Sequence, residues 1–90
     1  MADVFDALSA PARRAIIDVL SARDDQTLFE IVNRLLAEHQ LELTRQAISQ
    51  HLGVLEEAGL VRSRRDGRYR FHTLDIEPLR DATARWLDKE

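Results

Sequence analysis

The sequence predicts a mainly α-helical domain of about five helices that also carries one β-hairpin. Apolar residues recur at helical spacing over most of the chain, and one stretch after residue 60 combines β-type residues with an Asp-Gly turn signal. No repeat or linker interrupts this series. Because 90 residues with 44% hydrophobic and 32% charged side chains are enough for one small core, we expect a single domain over residues 1–90.

Two helices are predicted at the start of the chain. Residues 1–8 contain a short apolar stripe formed by Val4, Phe5 and Leu8. Ser9 is the expected N-cap of the second helix, because its hydroxyl can accept a free backbone N–H, and Pro11 suits the first helical turn. The acidic pair at residues 24–25 should end this helix.

The next two elements predict a helix-turn-helix. Thr27 and Glu30 have the spacing of a capping box, so a third helix should begin there and run to about His39. A fourth helix is expected over residues 44–58, and Gly59 can take the left-handed conformation that stops it. A connection that leads into a helix beginning with small polar residues is typical of a helix-turn-helix.

The segment 61–73 contains Asp66-Gly67, which predicts a β-hairpin. We expect a three-residue loop, 65–67, because it separates charged from apolar side chains, whereas a two-residue Asp-Gly loop would mix arginines and aromatic rings on one face. The inner face would then hold Val61, Ser63, Tyr69 and Phe71. The outer face would hold Arg62, Arg64, Arg68 and Arg70, with Arg65 at the tip.

A last helix is predicted over residues 77–89. Glu77 and Pro78 suit its first turn. Its apolar stripe consists of Leu79, Ala82, Thr83, Trp86 and Leu87.

Positive charge is concentrated in the middle of the chain. Residues 44–72 hold six Arg against three acidic residues, a balance of +3, although the formal net charge of the protein is -3. Like charges at neighbouring strand positions repel each other, which suggests an anionic partner for the hairpin. The alternative is that the arginines are spread evenly around a solvated surface.

Composition and motifs exclude several classes of function. The chain has no Cys, so disulfides, thiolate metal ligands and a cysteine nucleophile are excluded. No phosphate-binding glycine loop and no H-E-x-x-H motif is present, and we therefore expect no enzyme. Since the sequence shows neither a signal peptide nor a run of 18 apolar residues, we expect a cytoplasmic protein without membrane contact.

The order of helices and hairpin is that of a winged helix-turn-helix, and the residues add a resemblance. FDALSAPARRAIIDVL and RQAISQHLGVLEEAGLVRSRRDGRYRFHTL resemble the ArsR/SmtB-type family of bacterial transcriptional repressors, most specifically in residues 10–14 and 49–61. The resemblance implies a homodimer that binds a palindromic operator with one recognition helix in each half-site. It also implies release of the operator when a signal binds elsewhere on the protein.

The resemblance assigns double-stranded DNA as the partner of the fourth helix and the hairpin. The DNA-contacting residues would be Thr44, Arg45, Gln46, Ser49, Gln50, His51, Arg62, Arg64, Arg65, Arg68 and Arg70. Gln can pair with adenine and Arg with guanine, so the helix could read bases, while the hairpin could reach phosphates or a minor groove. The same side chains would also suit a solvated helix face and a charged edge that prevents aggregation.

The resemblance also implies that the two chain ends, 1–8 and 77–89, form the dimer interface. Its residues would be Val4, Phe5, Leu8, Leu79, Thr83, Trp86 and Leu87. The alternative is that these side chains pack on each other within one chain. A small core with exposed terminal stripes favours the dimer, because a partner would bury more apolar surface.

We expect no metal site and no other cofactor. The third helix lacks the Cys pair with which some family members bind metals, and the last helix offers Asp81 and Asp88 without a His. The signal is left open between an organic small-molecule effector, a protein partner and no signal at all. A winged helix that binds proteins instead of DNA is the competing function.

Overall fold

The computed structural model describes residues 3–87 of the chain. Its elements are α1 (Val4–Leu8), α2 (Pro11–Ala22), α3 (Leu28–His39), α4 (Arg45–Glu57), β1 (Val61–Asp66), β2 (Tyr69–Leu74) and α5 (Glu77–Leu87). The two strands form one antiparallel hairpin, which we call the wing, residues 61–74. Five helices and one hairpin confirm the predicted winged helix-turn-helix.

The start of α3 and the end of α4 are fixed by local contacts that were predicted from the sequence. Glu30 N donates to Thr27 Oγ1 at 3.2 Å and Thr27 N donates to Glu30 Oε1 at 2.9 Å, which completes the capping box. At the end of α4, Gly59 has φ +79°. Leu60 N then donates to Leu55 O at 2.9 Å, the bond that defines a Schellman stop.

The predicted cap of α2 was wrong. Ala10 is its N-cap residue and makes no side-chain bond to the helix, while the Ser9 hydroxyl donates to Asp6 O at the end of α1. The reason is Pro11, which occupies the first helical position and has no N–H. This proline places the cap one residue later than Ser9.

The helices bury one shared core beneath α4. The largest fully buried apolar side chains are Ile16, Leu20, Ile31, Leu35, Ile48, Leu55 and Leu60. Each of these stabilises the fold by roughly 1.5–3 kcal/mol relative to an exposed side chain. Because the apolar stripe of α4 points into this core, its opposite face must be the polar one.

The wing has a two-residue loop, Gly67-Arg68, and this corrects the predicted three-residue loop. Asp66 pairs with Tyr69 and Arg64 pairs with Phe71. Gly67, with φ +64°, is the first of the two loop residues, the position that a type II′ hairpin turn reserves for glycine. The prediction was wrong because the loops 65–67 and 66–67 both have Gly67 as their final residue, whereas in the structure Gly67 is the first residue of the loop.

The new register also changes which side chains of β2 face inward. Gln26 pairs with His72 in an isolated antiparallel bridge, through Gln26 N to His72 O at 3.0 Å and His72 N to Gln26 O at 2.8 Å. His72 is therefore 6% exposed, whereas Tyr69, which was predicted to face the core, is 59% exposed. Only the base of the wing is buried, so apolar alternation at its tip could not fix the register.

The terminal helices pack against each other but leave α5 on the surface. The rings of Phe5 and Trp86 lie 6.1 Å apart between centroids. None of the described residues of α5 is buried. The start of α5 nevertheless lies close to the end of α4. A Cβ added to Gly59 would lie only 3.2 Å from Pro78 Cγ. Within residues 3–87, every helix is too short or too polar to cross a membrane.

Candidate nucleic-acid interface

The exposed face of α4 presents the polar side chains that the sequence predicted. Arg45, Gln46, Ser49 and Gln50 are exposed, and Thr44 caps the helix by accepting from Ala47 N at 3.0 Å. Because this bond satisfies only one of the free N–H groups of the first turn, the others remain available to an anion. The start of α4 therefore combines backbone donors with the charge of Arg45.

A groove separates α4 from the wing. It has a volume of about 520 Å³ and is bounded by the start of α3, the exposed face of α4 and the β2 side of the wing. Arg45 and Ser49 line it from α4, and Arg68 and Arg70 line it from the wing. Two separate elements thus bring three guanidinium groups to one concave surface. We call Arg45, Arg68 and Arg70 the groove arginines.

The arginines of the wing do not share one outer face, which corrects the predicted arrangement. Strand alternation puts Arg65 and Arg70 on the same face as Ser63, whose hydroxyl donates to Glu56 of α4 at 2.7 Å. Arg62 and Arg64 lie on the opposite face. Only the first pair is directed toward α4.

Arg62 and Arg64, which we call the paired arginines, have acidic partners. Arg62 Nη2 lies 2.6 Å from Asp75 Oδ2, and Arg64 Nη2 lies 3.5 Å from Asp25 Oδ2. The Arg62 hydrogen bond lowers the pKa of Asp75, and the pKa of Asp25 is lowered chiefly by its hydrogen bond from Thr73 and further by Arg64. Arg64 also stacks 4.8 Å above the Phe71 ring.

No ion pair within residues 3–87 involves Arg65, Arg68 or Arg70. Arg68 and Arg70 line the groove without a direct carboxylate partner in the described part of the chain, although Glu56 of α4 lines the same groove. The electrostatic difference between these residues and the paired arginines depends on Asp25 and Asp75. Asp75 directly follows β2, so its contact with Arg62 is local to the base of the wing, whereas the contact of Asp25 with Arg64 joins residues far apart in the sequence.

His51 lies at the margin of the α4 face and is half-buried. Its Nδ1 is 3.2 Å from Arg13 Nη1 on α2. Burial, and secondarily the charge of Arg13, lowers the pKa of His51. The ring is thus kept neutral at physiological pH.

His72 forms part of the lining of the groove from below. Its Nδ1 is buried and, like the buried Oε1 of Gln26, has no hydrogen-bond partner among the described residues. Burial lowers the pKa of His72, the charge of Arg70 adds to this effect, and Glu56 opposes it. The folded protein therefore favours the neutral imidazole.

We expect the stability of the protein to fall as the pH drops below about 6.5. The unfolded chain, in which His72 has its ordinary pKa of 6.5, takes up a proton before the folded chain does. The free energy of unfolding should thus be constant above this pH and decline below it, by at most about 1.4 kcal/mol per pH unit for each histidine. Urea unfolding at pH 7.5 and 5.5 measures this decline.

The variant His72→Gln should lose part of the decline, while His51→Gln separates the contribution of the other histidine whose pKa is lowered. An equal decline in the wild type and in both variants would contradict the assignment.

The residues predicted for a dimer interface fall into two groups. Val4, Leu8 and Leu79 pack partly against the core of their own chain, and Thr83 Oγ1 donates to Leu79 O at 2.9 Å. Phe5, Trp86 and Leu87 are exposed. The described parts of α1 and α5 thus combine within one chain to present a partly apolar surface. Residues 88–89, the predicted end of the last helix, lie outside the described residues.

Two residues near the site were not predicted from the sequence to belong to it. Phe29 is exposed in the groove, with the Arg45 guanidinium 5.9 Å from its ring centroid. Its signal was available, because Phe29 lies outside the apolar stripe of α3. Arg13 was missed because its contact with α4 joins residues far apart in the sequence.

Comparison with known proteins agrees with this geometry. Residues 8–64 match the family described as a helix-turn-helix domain. The chain is 46% identical to the HTH-type transcriptional regulator YuzN of Bacillus subtilis, over 94% of this chain and 92% of that protein. It is 34% identical to the transcriptional repressor SdpR of the same species, over 97% and 88%.

A solved structure extends the comparison to the fold. An ArsR-like transcriptional regulator from Rhodococcus sp. RHA1 superposes with a TM-score of 0.76 at 35% identity, covering 94% of this chain and 71% of that one. Together with the winged helix-turn-helix architecture, these matches show that the chain belongs to the ArsR-type helix-turn-helix transcriptional regulators.

Proposed function

We propose that this regulator is a homodimeric repressor, which binds a palindromic DNA operator through α4 and the wing. The observation that supports it most is the groove, where Arg45 and Ser49 of α4 lie opposite Arg68 and Arg70 of the wing. A DNA backbone that follows this groove would meet positive charge on both sides.

In this proposal α4 enters the major groove and reads bases. Gln46 and Gln50 can make paired hydrogen bonds with adenine, and Ser49 can bond to several bases. Arg45, Thr44 and the free N–H groups of the first turn would hold a phosphate. His51 would contact the backbone beside them.

The wing would bind phosphates or the adjacent minor groove with Arg65, Arg68 and Arg70. Arg62 and Arg64 were also expected to contact DNA. They would contribute less, because each must leave or share a carboxylate partner before it can bind a phosphate. The repulsion among unpaired arginines at the wing tip is relieved when an anion binds between them.

The dimer would form through the exposed side chains of α1 and α5. Phe5 is 48% exposed and Trp86 is 53% exposed although their rings are in contact, so packing within one chain leaves about half of each uncovered. A second copy related by a two-fold axis would cover both, and it would also place the second α4 for the other half of a palindrome.

Repression is inferred from the name of SdpR, a transcriptional repressor. We further infer that the protein acts in the cytoplasm of a bacterium, without enzymatic activity and without a cofactor. Among residues 3–87, no group of three or more side chains could hold a metal ion. The inducing signal stays open among a small-molecule effector, a protein partner and none.

Selection of duplexes from a random pool tests the proposal. We expect a palindromic consensus and, for a dimer that neutralises about 8 to 12 phosphates, a slope of log affinity against log salt of about -7 to -11. A protein-binding winged helix, the competing function, would give no consensus and a slope near zero. It would also leave the unpaired charge of the wing without a role.

A further inference from the structure

One arginine of α2 connects α1 to the proposed DNA-reading helix. Arg13 Nε donates to Ala7 O at 2.7 Å and Arg13 Nη2 donates to Asp6 O at 3.2 Å, and both carbonyls lie in the last turn of α1. The remaining branch, Nη1, lies 3.2 Å from His51 Nδ1 on α4. Three acceptors on two helices thus fix the position and the plane of one guanidinium group.

This contact determines which nitrogen of His51 carries the hydrogen. A guanidinium group has only donors and does not lose its proton, so the nitrogen facing it must be an acceptor. His51 Nδ1 is therefore unprotonated, and the neutral ring has its N–H at Nε2. A protonated ring would instead set one donor against another beside a second positive charge.

We propose that Arg13 is a positioning residue for DNA binding, which fixes His51 as an Nε2–H donor for a phosphate oxygen and ties α4 to α1. The inference rests on the proposed function, in which α1 belongs to the dimer interface and α4 reads the operator. Through Arg13, the placement of the dimer helix sets the placement of the reading helix. A neutral N–H donor at His51 suits this role, because its geometry is fixed before DNA arrives.

Arg14 provides a matched control. It is the next residue of α2, and its Nη1 donates to Leu8 O at 2.6 Å, the same kind of contact with the end of α1. Within the described residues it makes no hydrogen bond to α4. The variants Arg13→Gln and Arg14→Gln thus both lose a bond to α1, and only the first loses the contact with His51.

The first readout is the tautomer of His51 in the free protein, measured from the ring nitrogen shifts by NMR. The wild type and Arg14→Gln should show the Nε2–H form, and Arg13→Gln should show a mixture of both tautomers. A role of Arg13 in folding alone would not change the tautomer. Should Arg13→Gln fail to fold, Arg13→Met replaces it, because methionine keeps a long unbranched side chain but has no N–H to donate to His51.

The second readout is affinity for a duplex selected by the wild type. We expect the affinity of Arg13→Gln to fall about tenfold and that of Arg14→Gln less than about threefold. The double variant Arg13→Gln/His51→Ala should lose no more affinity than the weaker-binding of its two single variants, Arg13→Gln and His51→Ala. An unchanged tautomer in Arg13→Gln, equal losses in both arginine variants, or losses that multiply in the double variant would overturn the inference. Failure of the wild type to bind any duplex would overturn the proposed function, and this inference with it.

Discussion

Replacing Arg68 and Arg70 with glutamine should weaken binding to the selected duplex by roughly 100- to 1,000-fold. Both residues line the groove opposite α4, and neither has an acidic partner among the described residues. In a dimer the change removes four charges, so the slope of log affinity against log salt should become shallower by about 3 to 4. Fluorescence anisotropy titrations at several salt concentrations measure both quantities.

The paired arginines supply the control for this prediction. The variant Arg62→Gln/Arg64→Gln removes the same number of charges from the opposite face of the wing, where Asp75 and Asp25 already compensate them. Its loss of affinity and its change in slope should both be clearly smaller. Equal losses of affinity in the two double variants would show that both faces of the wing contribute equally, and would contradict DNA binding in the groove.

Replacing Trp86 with aspartate should convert the proposed dimer to a monomer. A charge in the middle of the proposed interface would be buried without a partner, which costs several kcal/mol, while in the monomer Trp86 is already half exposed. The measured mass should fall from twice 10.4 kDa to 10.4 kDa. Since a monomer reaches only one half-site, affinity for the palindrome should fall by at least about 100-fold.

Leu36 offers the matched control for the charge. It is 50% exposed, close to the exposure of Trp86, but it lies on α3, outside the proposed interface. Leu36→Asp should keep the mass and the affinity of the wild type. A Trp86→Asp protein that remains dimeric in sedimentation experiments would place the interface elsewhere on the chain.

The parts of the fold that were predictable from the sequence are those that depend on neighbouring residues. The capping box of α3 and the glycine stop of α4 need only contacts between residues three to five positions apart, and both formed as predicted. The wing register was not predicted in this way, and at the base of the wing His72 pairs with Gln26, which is far from it in the sequence. Asp66-Gly67 marked the turn correctly, but it could not say which residues would occupy the loop.

The candidate site divides in the same way. The exposed face of α4 follows from its apolar stripe, because a helix with one buried face must present the other. The division of the wing arginines into two electrostatic groups could be predicted only in part, since Asp75 directly follows β2 but Asp25 reaches Arg64 from a distant part of the chain. The link from Arg13 to His51 likewise exists only after α2 and α4 have packed.

Titration of isotope-labelled protein with the selected duplex, followed by NMR of the backbone amides and arginine side chains, tests the central claim most directly. We predict that the largest shifts occur together in residues 44–51 of α4 and 65–70 of the wing. Shifts confined to one of these segments, or centred on α1 and α5, would contradict the claim that α4 and the wing bind the same duplex.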